Sequence, residues 1–109
     1  MTQTRKKRSD RTHIVYLLDV HGLTYVGITA KTESTVNKSV IARMNKHWYR
    51  ARTEAKDWLL CQALRSINDR SEIKVKVLAV VRGKAAGHKE EVRLRRELSP
   101  VLNTDRRGD

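Results

Sequence analysis

Cysteine, phenylalanine, acidic residues and long apolar runs are all scarce in this sequence of 109 residues. The single cysteine, Cys61, excludes an internal disulfide and a zinc site built from several cysteines. No apolar run approaches the ~18 residues of a membrane span, and no hydrophobic stretch follows the basic N-terminus, which disfavours a secretory signal. Without phenylalanine, the core must rest on Val, Ile and Leu. We therefore expect one soluble, cytoplasmic domain.

The charge is strongly one-sided. Twenty-four Lys and Arg face 12 Asp and Glu, a formal net charge of +12, which predicts an anionic partner, nucleic acid above all. Residues 1–12 are almost devoid of apolar side chains and are expected to form a disordered arm. Its basic residues are predicted to contact phosphates, the alternative being a tail that only keeps the protein in solution. They are Arg5, Lys6, Lys7, Arg8 and Arg11.

The apolar pattern predicts an α+β fold in the order β-β-α-α-β-α. Two strands over residues 13–20 and 23–29 are joined by the turn His21-Gly22, and a third covers residues 72–81. Helices are expected from Val36, after an N-cap at Asp57, and over residues 84–98. Together they predict a small, mostly antiparallel three-stranded sheet flanked by helices. Gly27 inside the second strand indicates a bulge or a close approach by another group.

Four basic residues of the first helix recur at helical spacing and share one face. A basic face is often merely solvated, but a histidine one turn from an arginine suits phosphate chemistry. The four are Arg43, Lys46, His47 and Arg50.

The last helix carries an acidic pair, Glu90 and Glu91, in a chain short of acid. Glu91 shares a side with Leu94 and Leu98, so it is directed toward the packed face. A carboxylate partly withdrawn from water needs a partner, either an arginine or a hard cation such as Mg²⁺. Spacing alone slightly favours the arginine and leaves the cation open.

These residues resemble the motifs of the GIY-YIG nuclease domain. Ile14-Val15-Tyr16 stands where that family has Gly-Ile-Tyr, and Tyr25-Val26-Gly27 stands where it has Tyr-Ile-Gly. Arg43 and His47 match its helix motif, and Glu91, Pro100 and Asn103 match its late motifs. The resemblance covers residues 13–103, and five elements in the right order make it specific. Residues 13–104 are thus expected to form the nuclease domain, and residues 105–109 a short tail.

The resemblance implies a metal-dependent DNA endonuclease that hydrolyses phosphodiester bonds with one divalent cation. Glu91 would hold Mg²⁺ or Mn²⁺, Arg43 would contact the scissile phosphate, and Tyr16 would accept the proton of water. Tyr25 and His47 would help to orient that water, and Asn103 would contact phosphate or support the site. Lys46, Arg50 and the arm would add affinity without reading sequence.

Several alternatives stay open at the level of sequence. The two site tyrosines could be ordinary core residues, Arg50 or Arg52 could replace Arg43, and Glu90 could replace Glu91. The chain could also be a non-catalytic nucleic-acid-binding protein. If it is a nuclease, double-stranded or branched DNA is the expected substrate. The lack of an obvious second binding module suits weak sequence preference or a homodimer.

Overall fold

The computed structural model describes residues 11–54 and 58–104. Within these ranges three strands and three α-helices follow one another in the order β-β-α-α-β-α, with two short 3-10 helices, Arg70–Glu72 and Val101–Asn103. The elements are β1 (Thr12–Val20), β2 (Leu23–Ala30), α1 (Val36–Thr53), α2 (Leu59–Arg65), β3 (Ile73–Arg82) and α3 (Lys84–Leu98). The α+β fold with a three-stranded antiparallel sheet, expected from the sequence, is confirmed.

The sheet has the order β2-β1-β3, and both pairings of the central strand β1 are antiparallel. A two-residue turn at His21 and Gly22 joins β1 to β2. Both residues have positive φ, as a tight hairpin requires, and the Asp19 carboxylate accepts the Gly22 amide at 2.8 Å. This turn fixes the register in which Tyr16 pairs with Gly27 and Leu18 with Tyr25.

Helices cover both faces of the sheet, which explains why β1 is a nearly continuous apolar run. Ile14, Tyr16 and Leu18 join one core with Val40, Met44 and Trp48 of α1 and Leu60 and Leu64 of α2. On the other face α3 comes so close that a Cβ on Gly87 would lie 2.9 Å from His13 Cβ and from Ile28 Cδ1. The glycine thus sets the distance between α3 and the sheet.

Two expected boundaries are wrong. Thr12, assigned to the arm, is the first residue of β1 and pairs with Arg82, and the Arg11 carbonyl accepts the Gly83 amide at 2.9 Å. These backbone partners hold the end of the expected arm in the sheet. The N-cap of α2 is Trp58 rather than Asp57, and it makes no side-chain cap. Asp57, the rest of the arm (residues 1–10) and the tail (105–109) lie outside the described residues.

Within the described ranges, no helix has both the length and the apolar character needed to cross a membrane.

Candidate active site

The centre of the candidate site is a hydrogen bond between the sheet and α1. The hydroxyl of Tyr16, on β1, lies 2.9 Å from Nε2 of His47. Tyr16 is 1% exposed, so its hydroxyl requires a partner inside the protein. The side chains are 31 residues apart in the chain and meet because α1 packs across the face of β1 that carries Tyr16.

Tyr25 completes a cluster of three rings. Its ring centroid is 5.6 Å from that of His47, in an edge-on arrangement, and 6.4 Å from that of Tyr16. Gly27 makes this packing possible, because a Cβ there would lie 2.6 Å from the Tyr16 hydroxyl oxygen. Of the two reasons that the sequence offered for Gly27, the close approach is the one observed. The irregularity in the sheet lies instead between Val15 and Tyr16, where β1 pairs with β3.

The charge of Arg43 acts on all three rings of this cluster. Its guanidinium lowers the pKa of Tyr16 and of Tyr25, against the larger effect of burial. Nε of Arg43 is buried and has no hydrogen-bond partner among the described residues. A buried, unpaired donor is costly. Arg43 as a whole is half-buried, so another part of the residue remains accessible to solvent.

Arg50 and Arg52, the two alternatives to Arg43, make their side-chain contacts with other residues. Arg52 stacks on Trp48, with Cζ 3.3 Å from the ring centroid, and donates to the carbonyls of Leu64 and Ile67. It therefore ties α1 to α2 and the segment that follows. Arg50 is exposed and pairs with Glu54 at 2.9 Å. Lys46 is likewise exposed, so Lys46 and Arg50 extend a basic surface beside the site.

Burial keeps the ring cluster uncharged. It raises the pKa of Tyr16 above its ordinary value, and Tyr25 adds to this effect. Burial also raises the pKa of Tyr25. The pKa of His47 falls to about 4, chiefly through burial and then through the positive charges of Arg43 and Arg50. At neutral pH His47 is therefore a neutral imidazole that can accept the Tyr16 hydroxyl proton.

The two adjacent glutamates, Glu90 and Glu91, have different surroundings in the structure. The Glu91 carboxylate raises the pKa of both Tyr16 and Tyr25, so its charge acts on the ring cluster, and its side chain is only 14% exposed. Glu90 instead pairs with Arg93 on α3. Glu91 is thus the carboxylate associated with the site.

Asn103 supports the site by holding a strand. Its side-chain oxygen accepts the Val26 amide at 2.7 Å, and its nitrogen donates to the Val26 carbonyl at 2.9 Å. The amide thereby pairs with the outer edge of β2 between Tyr25 and Gly27. The sequence placed Asn103 in the site but did not indicate this backbone contact, since Asn103 and Val26 are 77 residues apart.

The donor chemistry fits one divalent cation at Glu91. Mg²⁺ and Mn²⁺ prefer carboxylate oxygen, and Mg²⁺ is commonly bound through one or two carboxylates with water and phosphate oxygens completing its shell. Residues 11–54 and 58–104 contain no group of three or more His, Cys, Asp or Glu that could hold a metal ion. Most of the shell would therefore come from water and substrate.

Comparisons of this chain with protein-family models, with curated proteins and with solved structures find no match.

Proposed function

We propose that this protein is a metal-dependent endonuclease of the GIY-YIG type that hydrolyses phosphodiester bonds in DNA. The observation that carries the proposal is the convergence at one place of the residues that the resemblance names. Tyr16, Tyr25, the pair Arg43 and His47, and Glu91 come from four separate elements. A basic protein of net charge +12 is suited to an anionic polymer.

The Tyr16–His47 hydrogen bond provides a route for the proton of the attacking water. A buried tyrosine with a raised pKa is a poor base by itself. Its hydroxyl can nevertheless accept a proton from water while it passes its own proton to Nε2 of His47, 2.9 Å away. Because His47 is neutral at pH 7, the acceptor is ready before substrate binds.

Arg43 is suited to the charge that develops on phosphorus. A guanidinium offers planar, paired donors that match phosphate oxygens. Arg43 is half-buried and its charge acts on both tyrosines, so its guanidinium lies near the proposed proton acceptor. Held in place before the reaction, this charge stabilises the transition state without reorganisation.

Glu91 would hold the divalent cation, which when bound would neutralise charge on the leaving oxygen and on a non-bridging phosphate oxygen. The basic residues Lys46 and Arg50, exposed beside Arg43 and His47 on α1, would contact the phosphates on either side.

A second candidate is a basic protein that binds nucleic acid without cleaving it. The charge of +12 favours this function as much as the first. The two candidate functions differ in the residues they require. Binding alone needs neither the Tyr16–His47 contact nor the Glu91 carboxylate.

Incubation of the purified protein with supercoiled plasmid, followed by agarose electrophoresis, separates the two. The proposal predicts nicked or linear plasmid with Mg²⁺ or Mn²⁺ and intact plasmid with EDTA. Retarded but uncut plasmid with every divalent ion tested would favour the binding protein.

A further inference from the structure

We infer that His88 is a second protein ligand of the cation at Glu91, which makes this a site for a first-row transition ion in preference to Mg²⁺. The inference rests on the proposed function for the position of the cation. It adds a residue that none of the sequence motifs contains.

His88 and Glu91 lie one turn apart on α3, so both side chains project from the same flank of the helix. Nδ1 of His88 is 3.4 Å from Oε1 of Glu91. When two ligand atoms each lie about 2.1 Å from one ion and the ligand–ion–ligand angle is between ~90° and ~109°, the two atoms are ~3.0–3.4 Å apart. The two atoms are thus spaced so that one cation could bind both without a change of helix geometry.

The spacing also differs from that of an ordinary hydrogen bond, which joins nitrogen and oxygen at about 2.7–3.2 Å. A second histidine–glutamate pair in the same chain provides the contrast. Nε2 of His21 lies 2.8 Å from Oε1 of Glu72, and the other oxygen of Glu72 accepts the Asn68 and Asp69 amides. That pair is a closed hydrogen-bonded cap, whereas His88 and Glu91 are in contact at 3.4 Å without a hydrogen bond between them.

The mixed donor pair favours a particular class of ion. Carboxylate alone suits Mg²⁺, Ca²⁺ and Mn²⁺, whereas imidazole favours the later divalent ions of the first transition row. His88 is 52% exposed on its side chain, so incoming ions can reach it. The effect of His88 should therefore be small for Mg²⁺ and larger for Co²⁺, which serves as a spectroscopic probe.

The test is a titration of the DNA-free, full-length protein with Co²⁺, followed by visible absorption, and then displacement by Mg²⁺. His88→Ala should weaken Co²⁺ binding about tenfold or more, the scale on which altered metal surroundings change affinity. Its Mg²⁺ affinity should stay close to that of the wild type. The matched control His21→Ala removes the histidine of the other pair and should leave Co²⁺ binding unchanged. Glu91→Gln should weaken binding of both ions.

Equal Co²⁺ affinity in His88→Ala and wild type would overturn the inference, as would a wild type that binds Co²⁺ no better than Mg²⁺. Circular dichroism of each variant verifies folding. Plasmid cleavage is measured separately. If the wild type cuts plasmid and His88→Ala cuts it with the same metal preference, the inference about His88 fails while the nuclease proposal stands. A metal preference that depends on His88 without plasmid cutting contradicts the nuclease proposal instead.

Discussion

A buried tyrosine hydroxyl needs a partner, and for Tyr16 that partner is a histidine which is itself withdrawn from water. The contact at 2.9 Å makes each residue depend on the other. Tyr16 can act on water only if His47 is neutral, and the burial that keeps His47 neutral also makes its protonation unfavourable. The residues to which we assign the chemistry should therefore also make stability depend on pH.

His47 predicts a loss of stability in mild acid. Its pKa is about 4 in the folded protein and near 6.5 ordinarily, so between these values the unfolded chain binds more protons than the folded one. The free energy of unfolding should therefore fall as pH drops from 6.5 to 4, by up to about 3 kcal/mol. Urea unfolding across this range measures the effect. In His47→Gln, which lacks the titrating group, the fall should be shallower; equal pH profiles for the two proteins would contradict the assigned environment.

At the scale of elements, β2 is an outer strand, and Asn103 occupies part of its free edge. Asn103→Ala removes both hydrogen bonds to Val26 and leaves backbone groups of a part-buried strand without these partners. We expect a loss of about 1–3 kcal/mol in the free energy of unfolding, measured by urea denaturation. The control Asn37→Ala, at an exposed position in the first turn of α1, should change stability by less than about 0.5 kcal/mol. Similar effects in the two variants would mean that the Val26 contact contributes little.

Local sequence patterns predicted the helices and strands well, but they predicted contacts between distant residues poorly. The last helix was predicted over the residues observed, 84–98, because Gly83 ends the preceding strand and Pro100 stops a helix. Asp57 was a plausible cap by residue type, but the first turn of α2 begins after Trp58, and residue type alone does not fix where the chain turns.

The candidate site shows the same division. Helical spacing could indicate that Arg43 and His47 share a face of α1. The contact between His47 and Tyr16, and that between Asn103 and Val26, depend on how distant elements pack, which no local pattern encodes. The contacts of Arg52 with Trp48 and with the carbonyls of Leu64 and Ile67 are likewise tertiary features.

For the whole molecule, the net charge of +12 predicts DNA binding that weakens steeply with salt. The four basic residues within positions 1–10 should account for part of that dependence. Replacing Arg5, Lys6, Lys7 and Arg8 by Gln should reduce the slope of log K against log [salt] by up to about 3.6 units, from ~0.9 per phosphate contacted.

Exchanging Arg for Lys and Lys for Arg at the same four positions keeps the charge and serves as the control, with a slope close to that of the wild type. Because phosphate contacts carry no sequence information, the loss of affinity should be similar on every duplex tested. An unchanged slope in the Gln variant would show that the arm does not bind DNA.

The whole fold also brings the site together, since its members come from β1, β2, α1 and α3. The most direct test of this account compares two adjacent carboxylates, Glu91, whose charge acts on both tyrosines, and Glu90, which pairs with Arg93. In single-turnover cleavage of supercoiled plasmid with Mn²⁺, Glu91→Gln should cut at least about 10³-fold more slowly than wild type, as expected when the residue that holds the charge-stabilising cation is lost. Glu90→Gln, which disrupts only the pair with Arg93, should cut at close to the wild-type rate. Undiminished cutting by Glu91→Gln, or inactivity of Glu90→Gln alone, would contradict the site.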